Sequence, residues 1–310
     1  MSVSQAAASA GDATTGFDRE FNRWTMLVDQ AKQVPREAET NEPMRAVLDD
    51  ANRRWEVAQE QALHKDPKAL DSARQALQCY AALKAWPFGM QFVPPGDVTL
   101  RDDTGSSVVT LDGFFIDANE VTNGQYLQFC RDNNWRFPPY DLETAPADHP
   151  VISVTFYDAL AYAAWVKKQL PTEAQWARAA YGGPGASEMY PWGDDWKDGA
   201  GNSGGASPES EYARAVGVFP EDKSWTGCLD MAGNVAEWTR SMFKPLPYDP
   251  KDGREDVRAF AFGTSIVVRG GHYRDAQHTP MNVRFALPFE STMDTLGFRC
   301  VKEIPNIPPR

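Results

Sequence analysis

The residues of this chain best suited to chemistry lie in Asp230-Met-Ala-Gly-Asn-Val-Ala-Glu237-Trp238. Gly233-Asn234 suits a tight turn with positive φ. Around that turn Asp230 and Glu237 supply two carboxylates, and the carbonyls of Gly233 and Val235 can point the same way. Carboxylate and carbonyl oxygens together suit a hard cation such as calcium. The plainer alternative for the nonapeptide alone is a solvated turn between two strands. His272, Asp275 and His278 form a second group, since two histidines and a carboxylate can hold a transition metal. Their spacing would gather them on a helix, but the Arg269-Gly-Gly271 turn and Pro280 predict loop or strand. Loop histidines beside a glycine turn are more often hydrogen-bonding residues. There is no Gly-x-Ser-x-Gly elbow, P-loop or dinucleotide fingerprint. The four cysteines, Cys79, Cys130, Cys228 and Cys300, include no Cys-x-x-Cys and are too scattered for a disulfide scaffold.

The elements that must position these groups change character along the chain. Residues 1–16 (MSVSQAAASAGDATTG) read as a disordered small-residue leader without the basic start and apolar core of an intact signal peptide. Residues 17–86 read as a helical segment. Phe17, Phe21, Trp24, Val28, Ala31 and Val34 recur at helical spacing, and Pro35 ends the run. A second helix is predicted from Pro43, with Met44, Val47, Leu48, Ala51 and Trp55 inside. Asp66-Pro67 opens a third, carrying Leu70, Ala73, Leu77 and Tyr80. The only histidine here is His64, so this segment cannot build a multi-histidine iron site.

From residue 87 to 310, proline, glycine and short β-type runs take over. Three helix starts remain legible. Thr122 is a predicted N-cap, with Val121 and Tyr126 as a hydrophobic staple. Thr155 precedes Asp158, and Thr172 precedes Gln175, as in capping boxes. Gly182-Gly183 ends the last of these helices. Beyond it, Tyr190-Pro-Trp-Gly-Asp194 and Gly199-Ala-Gly-Asn202-Ser203 are dense in turns and need tertiary packing or an ion to hold one conformation.

A net charge of −12 without any block of Lys or Arg argues against nucleic-acid and anionic-membrane partners. No apolar run approaches the ~20 residues of a transmembrane helix. At 310 residues, one large domain with an appendage is expected.

Seven segments then occur in order: Asp117-x-x-Glu-Val-Thr-Asn-x-Gln-Tyr126, Pro150-Val-Ile-x-Val-Thr-x-x-Asp-Ala159, Leu170-Pro-Thr-Glu-Ala-Gln-Trp-Ala-Arg-Ala-Ala180, Tyr190-Pro-Trp-Gly193, the Asp230 nonapeptide, Arg269-Gly-Gly271 and Gly297-Phe-Arg-Cys300. The series resembles the formylglycine-generating enzyme (sulfatase-modifying factor) family. That resemblance implies an α+β, C-type-lectin-related domain with little regular secondary structure. It implies structural calcium at Asp230, Glu237 and the carbonyls of Gly233 and Val235. A second calcium site is implied at Asn202 and Ser203, with Glu209 or Glu211 as its acidic member.

Catalysis departs from the family pattern. Its two copper-binding thiols stand six and eleven positions beyond the arginine of Arg-Gly-Gly, where this chain has Asp275 and Pro280. Neither residue offers the soft thiolate that copper(I) requires. No copper or iron is therefore expected, and formylglycine generation is not. The resemblance leaves two functional classes. One is a non-catalytic, calcium-holding recognition or regulatory protein, with a groove lined by Trp192, His272, Tyr273, Arg274 and Phe289. Cysteine-less relatives of this kind include the TagR-like regulators of type VI secretion. They imply a protein partner in a threonine-kinase pathway and a periplasmic setting, with the cytoplasm as alternative. The other class is an oxygen-dependent metal oxidase resembling those of pyoverdine maturation.

Overall fold

In the computed structural model, residues 3–204, 212–261, 263–276, 278–305 and 307–308 are described, with side chains from residue 16 onward. Contacts divide the chain into two units. One contains residues 1–87, 112–114 and 304–310, and the other residues 88–111 and 115–303.

The first unit is helical. Helices α1 (Val3–Ala31), α2 (Glu37–Thr40), α3 (Glu42–Leu63) and α4 (Lys68–Ala85) follow one another. Helix α1 starts at Val3, inside the stretch expected to be disordered. Alanine dominates Gln5–Ala10, and alanine has the highest intrinsic helix propensity. The apolar stripe of α1 buries Trp24, Val28 and Ala31. Phe21 stacks on Trp55 of α3 at 5.8 Å. Asn41 caps α3 by accepting from the Met44 amide, with Pro43 in the first turn. Among the described residues, no helix is long and apolar enough to cross a membrane.

The second unit mixes short strands with three helices. Its strands are β1 (Met90–Val93), β2 (Gly96–Asp102), β3 (Gly105–Leu111), β4 (Phe114–Asp117), β5 (Ala236–Met242), β6 (Ser265–Arg269), β7 (Phe285–Pro288), β8 (Leu296–Gly297) and β9 (Val301–Glu303). Strand β4 begins in the helical unit, and β2 and β3 form an antiparallel hairpin. A four-stranded sheet runs β7-β6-β5-β8, and a three-stranded one runs β1-β4-β9. In the larger sheet β5 is antiparallel to β6 and parallel to β8. Glu237 therefore lies opposite Arg269 on one side and Gly297 on the other. The three glycine- and arginine-bearing segments separated in sequence are thus neighbours across one sheet.

The three helices begin where the hydroxyl residues place them. Helices α5 (Asn123–Asn133), α6 (Phe156–Trp165) and α7 (Glu173–Tyr181) each start with a complete capping box, on Thr122–Gln125, Thr155–Asp158 and Thr172–Gln175. Tyr126, Phe129, Phe156, Tyr162, Trp238 and Phe298 fill the core between α5, α6 and the larger sheet. Helix α7 is buried along its length and carries Glu173 and Trp176 into the interior. Its start matters for that reason. Thr172→Ala removes the hydroxyl that accepts from the Gln175 amide (3.0 Å). It is expected to cost about 1 kcal/mol, read as a lower urea midpoint at unchanged m-value.

Candidate cation site and recognition surface

The turn at residues 230–235 is stitched to a distant loop. Asp230 and Asn234 both adopt positive φ, at 61° and 64°. Asn and Asp tolerate that region better than other side chains with a Cβ. At Gly233 a Cβ would stand 2.6 Å from the Asn202 carbonyl oxygen, so only glycine fits. The Asn234 amide donates to that same oxygen (2.8 Å), and Asn202 Nδ2 donates to Asn234 Oδ1 (3.0 Å). Ser203 Oγ donates to the Asp275 carbonyl (3.2 Å). Asn202, Ser203 and the Gly233 turn are therefore brought together. Glu209 and Glu211 lie outside the described residues.

Glu237 faces away from Asp230 in its bonding. Arg299 Nε donates to both its oxygens (2.9 and 2.8 Å), Arg299 Nη2 reaches Oε1 at 2.7 Å, and Trp176 Nε1 donates to Oε2 (3.0 Å). Four donor contacts use the acceptor capacity of one carboxylate. Arg299 is fully buried and also donates to the carbonyls of Asp117, Ala118 and Leu229. A calcium ion on Glu237 would have to displace this guanidinium.

Asp230 has different neighbours. Its Oδ2 accepts from the Gly217 amide (2.6 Å), while buried Oδ1 meets no donor. The Glu120 carboxyl stands within hydrogen-bonding reach of it. Glu120 in turn accepts from Asn234 Nδ2 (3.1 Å) and the Val235 amide (3.3 Å). Asp222 accepts from the Ala232 amide through Oδ1 (3.1 Å), and its Oδ2 also meets no donor. Asn119 Oδ1 is a third buried oxygen without one. Burial, reinforced by the Asp230 charge, pushes Asp222 up to about 8 and Glu120 well above the carboxylate range. Burial raises Asp230 to about 6 against the pull of Gly217 and Arg299. Glu120 and Asp222 were not legible as site residues. Glu120 belongs to a quoted motif, but it reaches Asn234 from 114 positions away. Among the described residues no three His, Cys, Asp or Glu side chains form a metal-holding group. That includes His272, Asp275 and His278.

The surface beyond the turn is aromatic. Tyr190 stacks on Trp192 with ring centroids 5.4 Å apart, and Trp196 stacks on His278 at 3.8 Å. Tyr190 Oη donates to the His278 carbonyl (2.5 Å). Tyr273 is buried, its amide donates to the Asn234 carbonyl (3.0 Å), and Arg274 lies over its ring. Arg274 also pairs with Asp294 (2.6 Å). His272 is half-buried, and burial lowers its pKa. Phe289 goes elsewhere: it is buried in the core and packs edge-on against Tyr157 at 4.9 Å. Its ring is used for packing. At the position of the first family thiol, the Asp275 carboxylate accepts from the amide (2.8 Å) and hydroxyl of Thr279. Pro280 follows directly.

Comparison with known proteins gives the following. A family model described as "Sulfatase-modifying factor enzyme 1-like domain" matches residues 83–304. The serine/threonine-protein kinase Pkn1 of Chlamydia trachomatis is 30% identical over 232 residues, covering 66% of this chain and 35% of the kinase. The formylglycine-generating enzyme of Streptomyces coelicolor is 33% identical over 189 residues, 56% of this chain and 59% of that enzyme. The hercynine oxygenase of Mycolicibacterium smegmatis is 30% identical over 213 residues, 56% and 49% of the two chains. This chain thus spans little more than a third of the kinase and under two thirds of either enzyme. Among solved structures, PvdO from Pseudomonas aeruginosa superposes with a TM-score of 0.57 at 21% identity, over 69% of this chain and 94% of PvdO. CarF gives 0.53 at 20% identity, over 70% and 99%. At such identities these two establish the fold.

Proposed function

The chain belongs to the sulfatase-modifying factor enzyme 1-like family, and from that premise we propose that it is a non-catalytic recognition and regulatory member, with calcium as a structural ion. The observation that carries the reading is the pair of residues at the thiol positions. Asp275 is tied to Thr279, and Pro280 has no ionisable group. All four cysteines are buried, and burial raises each thiol above its ordinary range. A buried thiol held protonated is neither a nucleophile nor a copper(I) ligand. Oxidation of a substrate cysteine has no reactive sulfur to pass through.

What remains is a rigid frame presenting His272, Arg274, Trp192 and Trp196 on loops, an arrangement suited to binding a protein. The Pkn1 relative supports a role beside a serine/threonine kinase. A periplasmic regulator of type VI secretion, acting upstream of such a kinase's sensing domain, is the specific form proposed.

Oxygen uptake with a cysteine-containing peptide tests the reading, together with copper(I) retention against bathocuproine disulfonate. No uptake above the protein-free rate and no retained copper are expected. Turnover with one equivalent of copper or iron would overturn the proposal in favour of a metal oxidase. A positive arm measures binding to the sensing domain of a threonine kinase of type VI secretion. Binding lost in Arg274→Ala with the fold intact is expected, and no binding to that domain removes the kinase assignment.

A further inference from the structure

Beside the turn of the β2–β3 hairpin the second unit holds an open cleft of about 470 Å³. That lies within the ~300–1,000 Å³ of small-molecule sites. Arg101 and Asp103 line it from the hairpin, Phe243 from the end of β5, and Asn282, Val283 and Arg284 from the approach to β7. None of them belongs to the recognition surface or to the turn at residues 230–235.

The walls of the cleft are fixed from behind. The Arg284 side chain is 1% exposed, and its Nη2 donates to Glu173 (2.9 Å) and to the Lys244 carbonyl (3.0 Å). Its Nη1 donates to Asp102. Asp102 accepts in turn from the Thr104 amide (2.8 Å) and hydroxyl, and that hydroxyl accepts from the Leu246 amide (3.0 Å). The Asn282 backbone is held at both ends, its amide by the Glu188 carbonyl (3.2 Å) and its carbonyl by Arg269 (2.8 Å). A cavity braced in this way is preformed, so a ligand entering it orders little.

What the bracing leaves over defines the ligand. Among the described residues, the Asp103 carboxylate and the Asn282 carboxamide have no hydrogen-bond partner, and both line the cleft. The Phe243 ring is 37% exposed, although the Arg284 guanidinium lies over it at 4.8 Å. The charges are unequal. Arg284 and Arg269 are answered by Glu173 and Asp102, and Arg101 by Glu188 at 3.3 Å. Asp103 is answered by no cation, in a chain of net charge −12. A cationic ligand is therefore favoured over an anionic one. We infer that this cleft binds a small organic ammonium ion with an aromatic body. The ammonium donates to Asp103 and to the Asn282 amide oxygen, and the body packs on Phe243 and Val283.

The test is titration of the ¹⁵N-labelled full chain with phenethylamine, followed by NMR at the Asn282 side-chain amide, whose resonances are identified by their loss in Asn282→Ala. Saturable shifts of those resonances are expected. Two probes separate charge from body. 3-Phenylpropionate keeps the ring with the opposite charge, propylamine keeps the charge without the ring, and each is expected to bind about 10-fold more weakly. Asp103→Asn is expected to weaken phenethylamine binding about 5-fold, the scale of an exposed ion pair. Its melting temperature stays that of the parent, because Asn suits a turn as well as Asp does. Glu290→Gln, which removes an exposed carboxylate outside the cleft, leaves the affinity unchanged. The inference is overturned if phenethylamine leaves the Asn282 resonances in place. It is also overturned if 3-phenylpropionate binds as tightly, which would make Arg101 the anchor of an anion site. Equal losses in Asp103→Asn and Glu290→Gln would reduce the binding to the diffuse charge of the chain and overturn it too.

Discussion

Replacing Glu237 with alanine is expected to destabilise the protein by about 3–5 kcal/mol, equally in calcium and in chelator. The reason is what remains behind. Arg299 is fully buried, and its charge is matched by Glu237 through bidentate contacts of 2.7–2.9 Å. Without that carboxylate a guanidinium stays buried with three backbone carbonyls as partners, and Trp176 Nε1 loses its acceptor. For a unit of this size, such a loss lowers the melting temperature by roughly 10 °C. The measurement is calorimetry of parent and variant with and without calcium. A loss seen only in calcium would place Glu237 in the ligand set. A loss below about 1 kcal/mol would mean the pair is relaxed by water.

The second large effect concerns Glu173. This residue is fully buried at the start of α7 and serves two arginines. Its Oε1 accepts from Arg269 Nη2 (2.5 Å) and from Arg284 Nε, and its Oε2 from Arg284 Nη2 (2.9 Å). Arg269 in turn holds the carbonyls of Asn282 (2.8 Å) and Val283 (3.2 Å), so one carboxylate fixes the Arg-Gly-Gly turn and the approach to β7. In Glu173→Ala two buried guanidiniums retain only the Asp102 carboxylate, which pairs with Arg284. The expected cost is again about 3–5 kcal/mol or more, seen as a large drop in urea midpoint. Adding Arg284→Met should recover part of it, because one uncompensated charge then goes with its partner. Strict additivity of the two substitutions would show that they do not share a network.

These two residues bond to partners that no local pattern of the chain specifies. Glu173 lies in a quoted motif and beside a predicted N-cap, yet nothing local says that its side chain turns inward to two arginines about 100 positions away. The same holds for Phe289, whose apolar character was legible but whose neighbours were not. In the core it packs on Tyr157, away from the loops that carry His272 and Trp192. Helix starts were legible because a capping box is closed within four residues. Thr122, Thr155 and Thr172 each bond the residue three positions on.

What the sequence determined by itself was the order of motifs, hence the family and its α+β fold, and the absence of thiols where the family's copper site stands. Those follow from residue identity and short-range spacing, which need no knowledge of neighbours in space. Only the tertiary structure decided which acid pairs with which base. Glu237, Asp230, Glu120 and Asp222 are alike as letters. One guanidinium can compensate one carboxylate fully, and the fold gives Arg299 to Glu237 while leaving Asp230 against Glu120. Charge pairing at this range is set by ångström distances in a water-free interior, and no spacing along the chain encodes them.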